Sequence, residues 1–579
     1  MPTADYAYSS TSGLPTTIST TSGTITHTYD QDGRLKTYTD ADANQSTYGY
    51  DTSDRATTIN DGKGSETLSY DQGSERRGLL TGITDSQAGD FSATYNADGA
   101  LVTQWYPNGM TATRTFDETG QPVALVYVKT SNCSTACTWY ADQVSPSIHG
   151  QWLAQSGSPS GQSYTYDAVG RLSWVYDTLN GQCTTRQYTF DADSNRTALT
   201  TRSPNTDGSC NTTIGGATQS SSYDTADRAT TSGYAFDVLG RVTTVPAADA
   251  GGATLTSTYY VNDMVNTLTQ SGTTDTASLD PTRRIRQWVT SSDSTATKIS
   301  HFASDDDSPN WIAENTSGTA WTRNVLGPYG LAAIADQVGI TALQLPDLRG
   351  DIVATANTSQ TATSLTGTFE QTEFGQSHAG QSQSRYSYLG AYQRATTNKA
   401  GAVTMGVRIY LPTTGRFLQT DPLEGGSSNS YDYARQDPVN NTDIAGLSPS
   451  GCFYARVSVD NLSAWSVNSI FGTYRIWQRI DFCIKWNQIT FSQRTRGHST
   501  PDSGGLPSLW YWDGWQESRH HSVYDRSGRW IRDYWYTKGG FYGVKIPTGH
   551  DYTPWIEMTV YGNGDPTTYH RSCDCRLQL

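Results

Sequence analysis

Eight cysteines fall into groups whose spacing sets the chemistry open to them. Cys133 and Cys137 are separated by three residues, Cys183 and Cys210 bracket a longer insertion, and Cys452, Cys483, Cys573 and Cys575 all lie toward the C-terminal end. Thiols so placed either oxidise in pairs or hold a soft metal. A zinc site needs four ligands, and no third or fourth soft ligand stands beside either of the first two pairs. We therefore read both as disulfides that staple extended hairpins. Cys573 and Cys575 are too close to bond each other comfortably, so each is expected to pair with Cys452 or Cys483, which leaves two connectivities. Zinc is the competing reading of that Cys-Asp-Cys triplet. No metal and no cofactor is expected. Disulfides place the chain in an oxidising compartment, secreted or at a cell surface. The opening "MPTADYAYSSTSGLPTT" has neither the basic nor the apolar part of a signal peptide, which suits a C-terminal piece of a longer secreted protein or export by another route.

Residues 448–579 hold nine of the sixteen tryptophans and five of the nine histidines. His520 and His521 point to opposite faces of an extended strand and cannot easily share one metal. With His498, His550, His570 and the arginines they form a set that a nuclease would use, and Trp510, Trp512 and Trp515 a set that stacks on sugars. Structural histidines and a tryptophan-rich core explain the same residues.

The elements that must position these groups are short strands. "THTYDQDGRLKTYTD", residues 26–40, is a strand, a turn and a returning strand, with Asp32-Gly33 read as a two-residue type I′ turn. Aromatic-acidic pairs recur at Tyr50, Tyr70, Tyr95 and Phe116, then at Tyr166, Phe190, Tyr223 and Phe236; the first five, from Tyr29, are spaced by 21, 20, 25 and 21 residues. One hairpin cannot bury its own apolar face, so successive hairpins must pair edge to edge into a continuous sheet. The tail alternates in the same way: Ile480, Phe482, Ile484 and Trp486 alternate with Asp481, Cys483 and Lys485, so a compact β-sandwich-like domain is expected there. An all-β fold follows for the whole chain.

Charge sharpens the division. The chain carries a net −15. Residues 448–579 are at +3 and the first 447 residues at −18. A stretch so acidic is not a nucleic-acid coat, because phosphate binding gathers Lys and Arg. No apolar run is long enough for a membrane-spanning helix.

With "YDQDGR", "YDAVGR" and "FDVLGR" as its core, the repeat resembles the YD-repeat or RHS family. That resemblance implies a strip of β-hairpins spiralling into a shell, as in bacterial RHS proteins, the C subunits of insecticidal toxin complexes and teneurins. It divides the chain into YD repeats over 1–344, an RHS repeat-associated core over 345–447 and a variable domain over 448–579. The core is matched at Arg408, Tyr410, Pro412, Gly415, Arg416, Phe417, Asp421, Pro422, Asn429, Tyr431, Tyr433, Pro438, Asp443, Gly446 and Leu447, with Leu411 and Ile444 departing from the pattern.

In cleaving members of the family this core is a single-turnover aspartyl-type protease, and the resemblance implies a cut between Leu447 and Ser448. Such chemistry needs one ionised and one neutral carboxylate. Asp421 and Asp432 are the candidates, with Arg408 or Arg416 orienting the strand. The implied function is a secreted shell that encloses or displays its own C-terminal domain, an effector released by self-cleavage. The alternative is a non-enzymatic surface protein whose uncleaved tail binds a cell-surface or glycan partner.

Overall fold

In a computed structural model of the chain, described residues run from 4 to 447 with breaks at 131–136, 149, 158–159, 214, 379–383 and 423–426; beyond 447 only the backbone of the strands within 451–574 is described. Nineteen strands from Asp5–Tyr8 to Ala217–Ser220 form one sheet and thirteen from Ala235–Phe236 to Gly367–Thr368 a second. Each strand pairs antiparallel with its successor in the chain, so both sheets are long meanders of hairpins and neither closes into a barrel. A four-stranded sheet runs from Ala395–Thr396 to Arg416–Phe417. The described helices are two single 3-10 turns, Gly390–Tyr392 and Ala434–Gln436. The expected all-β fold is the one found.

The hairpin turn differs from the sequence expectation. Asp30 and Arg34 close a three-residue loop in which the Gly33 amide returns to the Asp30 carbonyl, and Gly33 alone is left-handed, at φ 80°. The Asp30 carboxylate explains why. Its Oδ1 accepts the amides of Asp32 and Arg34 at 3.0 and 2.9 Å, which caps a wider turn and leaves a bulge where Tyr29 pairs with Leu35.

The repeat motif also joins neighbouring repeats. Arg34 Nε donates to Asp30 at 2.7 Å, its Nη1 reaches Asp54 of the next turn at 2.7 Å, and its guanidinium lies 4.8 Å over the Tyr50 ring. The Tyr50 hydroxyl then donates back to the Leu35 carbonyl at 2.8 Å. Arg171 with Phe190 and Arg241 with Tyr259 repeat the stacking. Arg283 takes the left-handed turn position in its own unit, at φ 72°, with an exposed side chain. A residue with a Cβ is strained there. Arg283→Gly is expected to stabilise the chain by about 0.5 to 1 kcal/mol, read as a higher denaturation midpoint.

The second strip lies along the first in the same chain direction. Arg286 pairs with Asp42, His301 Nδ1 lies 2.8 Å from Asp40, Tyr48 donates to the Ala303 carbonyl, and Trp311 Nε1 donates to the Asp61 carbonyl. Farther on, Tyr127 donates to the Pro346 carbonyl, the Leu348 amide to Asp142, and Arg186 to Glu373. Apolar side chains fill the same seam, with Phe91, Leu125 and Tyr127 packed with Val325, Leu343 and Leu345. Successive windings of one ribbon are thereby clamped side by side.

The chain separates into two compact units: residues 1–420 with 429–440, and 421–428 with 441–579. In the second unit the tail strands form antiparallel sheets of three strands (Gly451–Asp460, Arg475–Lys485, Gln488–Ser499) and four strands (Trp510–Tyr524, Trp530–Gly543, Asp551–Tyr561, Thr568–Asp574).

Candidate functional site

The strands Arg408–Leu411 and Arg416–Phe417 place the two candidate arginines, and Asp432 forms an isolated antiparallel bridge with Arg416. Gly415 makes the connecting turn at φ 65°, and a Cβ there would lie 1.7 Å from Arg196 Nη2, so neither the backbone nor the space admits a side chain. Aromatic rings wall the region: Tyr410 and Tyr433 have centroids 4.3 Å apart, and Phe417 is 5.8 Å from each. Such packing excludes water and removes the solvation a charge would otherwise keep.

Asp432 is at 0% exposure, and neither carboxylate oxygen has a hydrogen-bond partner. Burial pushes it up to about 6 from an ordinary value of 3.8, while Arg416, the Asn429 amide, Arg408 and Arg435 limit the rise. Both arginines are engaged elsewhere. Arg416 Nη1 donates to Asn195 at 2.7 Å and Nη2 to the Asp227 carbonyl at 2.5 Å, and Arg408 lies 3.7 Å over the Phe417 ring. They moderate the Asp432 charge without forming a salt bridge to it. Immediately after Tyr433, three consecutive residues, Ala434, Arg435 and Gln436, are left-handed, at φ 52°, 56° and 58°. Left-handed turns of L-residues cost about 1 to 2 kcal/mol each, and such strain collects at functional sites.

Asp421 belongs to the other compact unit. It is half-buried and accepts a hydrogen bond from Ser427 Oγ at 2.7 Å. In the same unit Asp443 is buried and accepts the Leu447 amide at 3.0 Å, which folds the end of the core into a loop through Gly446 at φ 63°. Ile444, one of the two departures from the family pattern, is buried, as is Leu411, the other. Ser448 lies outside the described residues.

Asp437 is a buried carboxylate that the sequence reading passed over. Burial pushes it up to about 7 against the hydrogen bonds that Asn440 donates. Its place in "QDPVNN" reads as a turn, and only burial distinguishes it from the many other turn aspartates.

Cys183 and Cys210 form a disulfide with Cα atoms 4.7 Å apart. Cys137 is disulfide-bonded, and Cys133 lies outside the described residues. In the tail the strand register sets Cys452 directly across from Cys483. Cys573 ends the last strand and Cys575 lies outside the described residues. No group of His, Cys, Asp and Glu among the described residues is arranged to hold a metal ion, and no described helix is long and apolar enough to cross a membrane.

The RHS Repeat family profile matches residues 29–66. No curated protein matches the sequence. Among solved structures, a TcdB2-TccC3-Cdc42 crystal structure shares the fold with a TM-score of 0.61 at 15% identity, over 77% of this chain and 25% of that one. TcdB2-TccC3 without its hypervariable C-terminal region gives 0.62 at 15% over the same shares, and a Photorhabdus luminescens Tc holotoxin pore gives 0.56 at 15%, again over 77% and 25%. The chain thus spans about a quarter of the length of these chains. Residues 29–66 thus carry an RHS repeat, the same Asp-Arg-aromatic joint recurs in later units, and the fold over three-quarters of the chain is the one these toxin-complex structures share.

Proposed function

We propose that the chain is a secreted shell that encloses its own C-terminal domain, residues 448–579, and severs itself once between Leu447 and Ser448, with Asp421 and Asp432 as the two carboxylates. The observation that carries this reading is Asp432. A carboxylate wholly removed from water, without a hydrogen-bond partner and shifted toward neutrality, beside a run of left-handed backbone, is costly to keep and fits a proton-holding acid better than a structural anchor. Asp421, half-buried, is assigned the role of base that takes the proton of the attacking water. Arg408 and Arg416 are positioning residues. Because substrate and acid belong to one chain, a single turnover needs little catalytic power. The solved relative whose name includes a hypervariable C-terminal region supports reading residues 448–579 as variable cargo.

Denaturing gel electrophoresis of the purified chain tests this. The unmodified chain is expected to give two bands, the smaller at the mass of residues 448–579, and Asp421→Asn a single intact band. An unmodified chain that stays intact sinks the protease reading and favours an uncleaved tail acting as an adhesion or glycan-binding module.

A further inference from the structure

Along one stretch of the seam six carboxylates are buried. The first winding supplies Asp142 and Asp177, the turn 347–351 of the second supplies Asp347 and Asp351, and the segment after Gly367–Thr368 supplies Glu370 and Glu373; none is more than 8% exposed. Three of them are matched by cations. Arg186 pairs with both Asp177 and Glu373, Arg349 pairs with Asp351, and His378 Nε2 lies 3.1 Å from Asp177. With His378 protonated, three negative charges meet three positive ones.

The other three carboxylates make no ion pair among the described residues. Asp142 accepts the Leu348 amide at 2.9 Å and Gln155 Nε2 at 3.0 Å, Asp347 accepts the amides of Arg349, Gly350 and Asp351, and Glu370 accepts Ser160 Oγ. Uncompensated charge at such depth is expensive. The seam is therefore electrically balanced only while these three acids hold their protons; once they ionise and His378 discharges, six negative charges face two positive ones. The hydroxyls of Tyr140, Tyr164 and Tyr188 belong to the same surroundings and stay neutral, because burial raises each well above its ordinary value.

The proton affinities agree in sign. Burial pushes Asp142 up to about 6 and raises Asp347 and Glu370 as well, with the Asp351 charge adding to the rise at Asp142 and Asp347. At His378 burial pulls downward, but the Asp177 carboxylate outweighs it and the imidazole ends above 6.5. A raised histidine lends stability that is present below 6.5 and lost as pH rises through its native value. A raised acid holds in the closed seam a proton that the unfolded chain has released, so its contribution also falls with rising pH. Asp177, which burial would raise, is held below 3.8 by His378 and Arg186, and its contribution is lost only in stronger acid.

We propose that this stretch of the seam is a proton-operated latch, which holds the second winding closed on the first in mild acid and releases it locally as pH rises past neutral. The latch is independent of self-cleavage, since Asp421, Asp432 and Leu447 have no part in it.

Hydrogen–deuterium exchange of the full chain at pH 5.5 and pH 8.5, with exchange times scaled for the base-catalysed intrinsic rate, is the test. Peptides covering 345–353 are expected to lose protection by at least about tenfold at the higher pH, while peptides covering 255–270, which hold no latch residue, keep theirs. Asp142→Asn combined with Glu370→Gln fixes two of the acids in a neutral form and is expected to keep 345–353 protected at pH 8.5. Should that variant fail to fold, the unmodified chain decides alone. Equal scaled protection of 345–353 at the two pH values, a loss that 255–270 shares, or a folded variant that opens as the unmodified chain does, overturns the latch.

Discussion

Replacing Arg323 with Met is expected to destabilise the chain by about 3 to 5 kcal/mol at neutral pH. Arg323 is 1% exposed and crosses the seam to Asp61 and Asp85, each at 2.6 Å, with Glu66 at 3.7 Å. Met retains the volume but strands three carboxylates in a site that water does not reach. The deficit should depend on pH in a definite direction. Burial already pushes Glu66 up to about 7, despite the Arg323 charge that pulls it down. Without that charge the native state holds protons that the unfolded chain releases, so the variant gains stability as pH falls. Denaturation midpoints of the two chains should therefore converge on going from pH 8 toward pH 4. A deficit that stays constant over that range would mean that Arg323 acts through packing alone.

Asp432→Asn should move stability and function in opposite directions. An acid whose native value is about 6 instead of 3.8 binds more protons folded than unfolded between those values. Stability therefore falls as pH rises through that window, and above it the charged carboxylate costs about 2 to 3 kcal/mol. Asn carries no charge, so at pH 8 the variant is expected to be more stable by that order, while at pH 4 the two chains should be nearly alike. On the same samples the gel should show an intact chain. Loss of cleavage with a gain in stability is what a residue kept for chemistry produces. If Asp432→Asn is instead less stable at pH 8, Asp432 is a structural anion and the role proposed for it fails.

The hairpins were legible because their causes are local. Asp30, Gly33 and Arg34 carry within five residues the carboxylate that caps the turn, the left-handed position and the cation that locks it. The turn type was misread for the same reason. Asp32-Gly33 taken alone favours a two-residue loop, and it is the side chain of Asp30, two residues earlier, that widens it. Asp432 was legible as a candidate through its motif, but its burial was not, because the segments that cover it, such as the strand of Arg416 with which it bridges, are brought together by folding. The seam could not be read at all. Asp61 looks like any other turn aspartate, and nothing near it in sequence announces Arg323, 262 residues away.

The lateral clamping of one winding on the next sets a schedule for biosynthesis. Asp40 leaves the ribosome 261 residues before His301, the group it meets across the seam. At roughly 5 to 20 residues per second that is a wait of about 13 to 50 seconds. During it the opening hairpins pair along the strip but present an uncovered flank, so the nascent chain should be open to chaperones and proteases at its N-terminal repeats and close only as the second winding emerges.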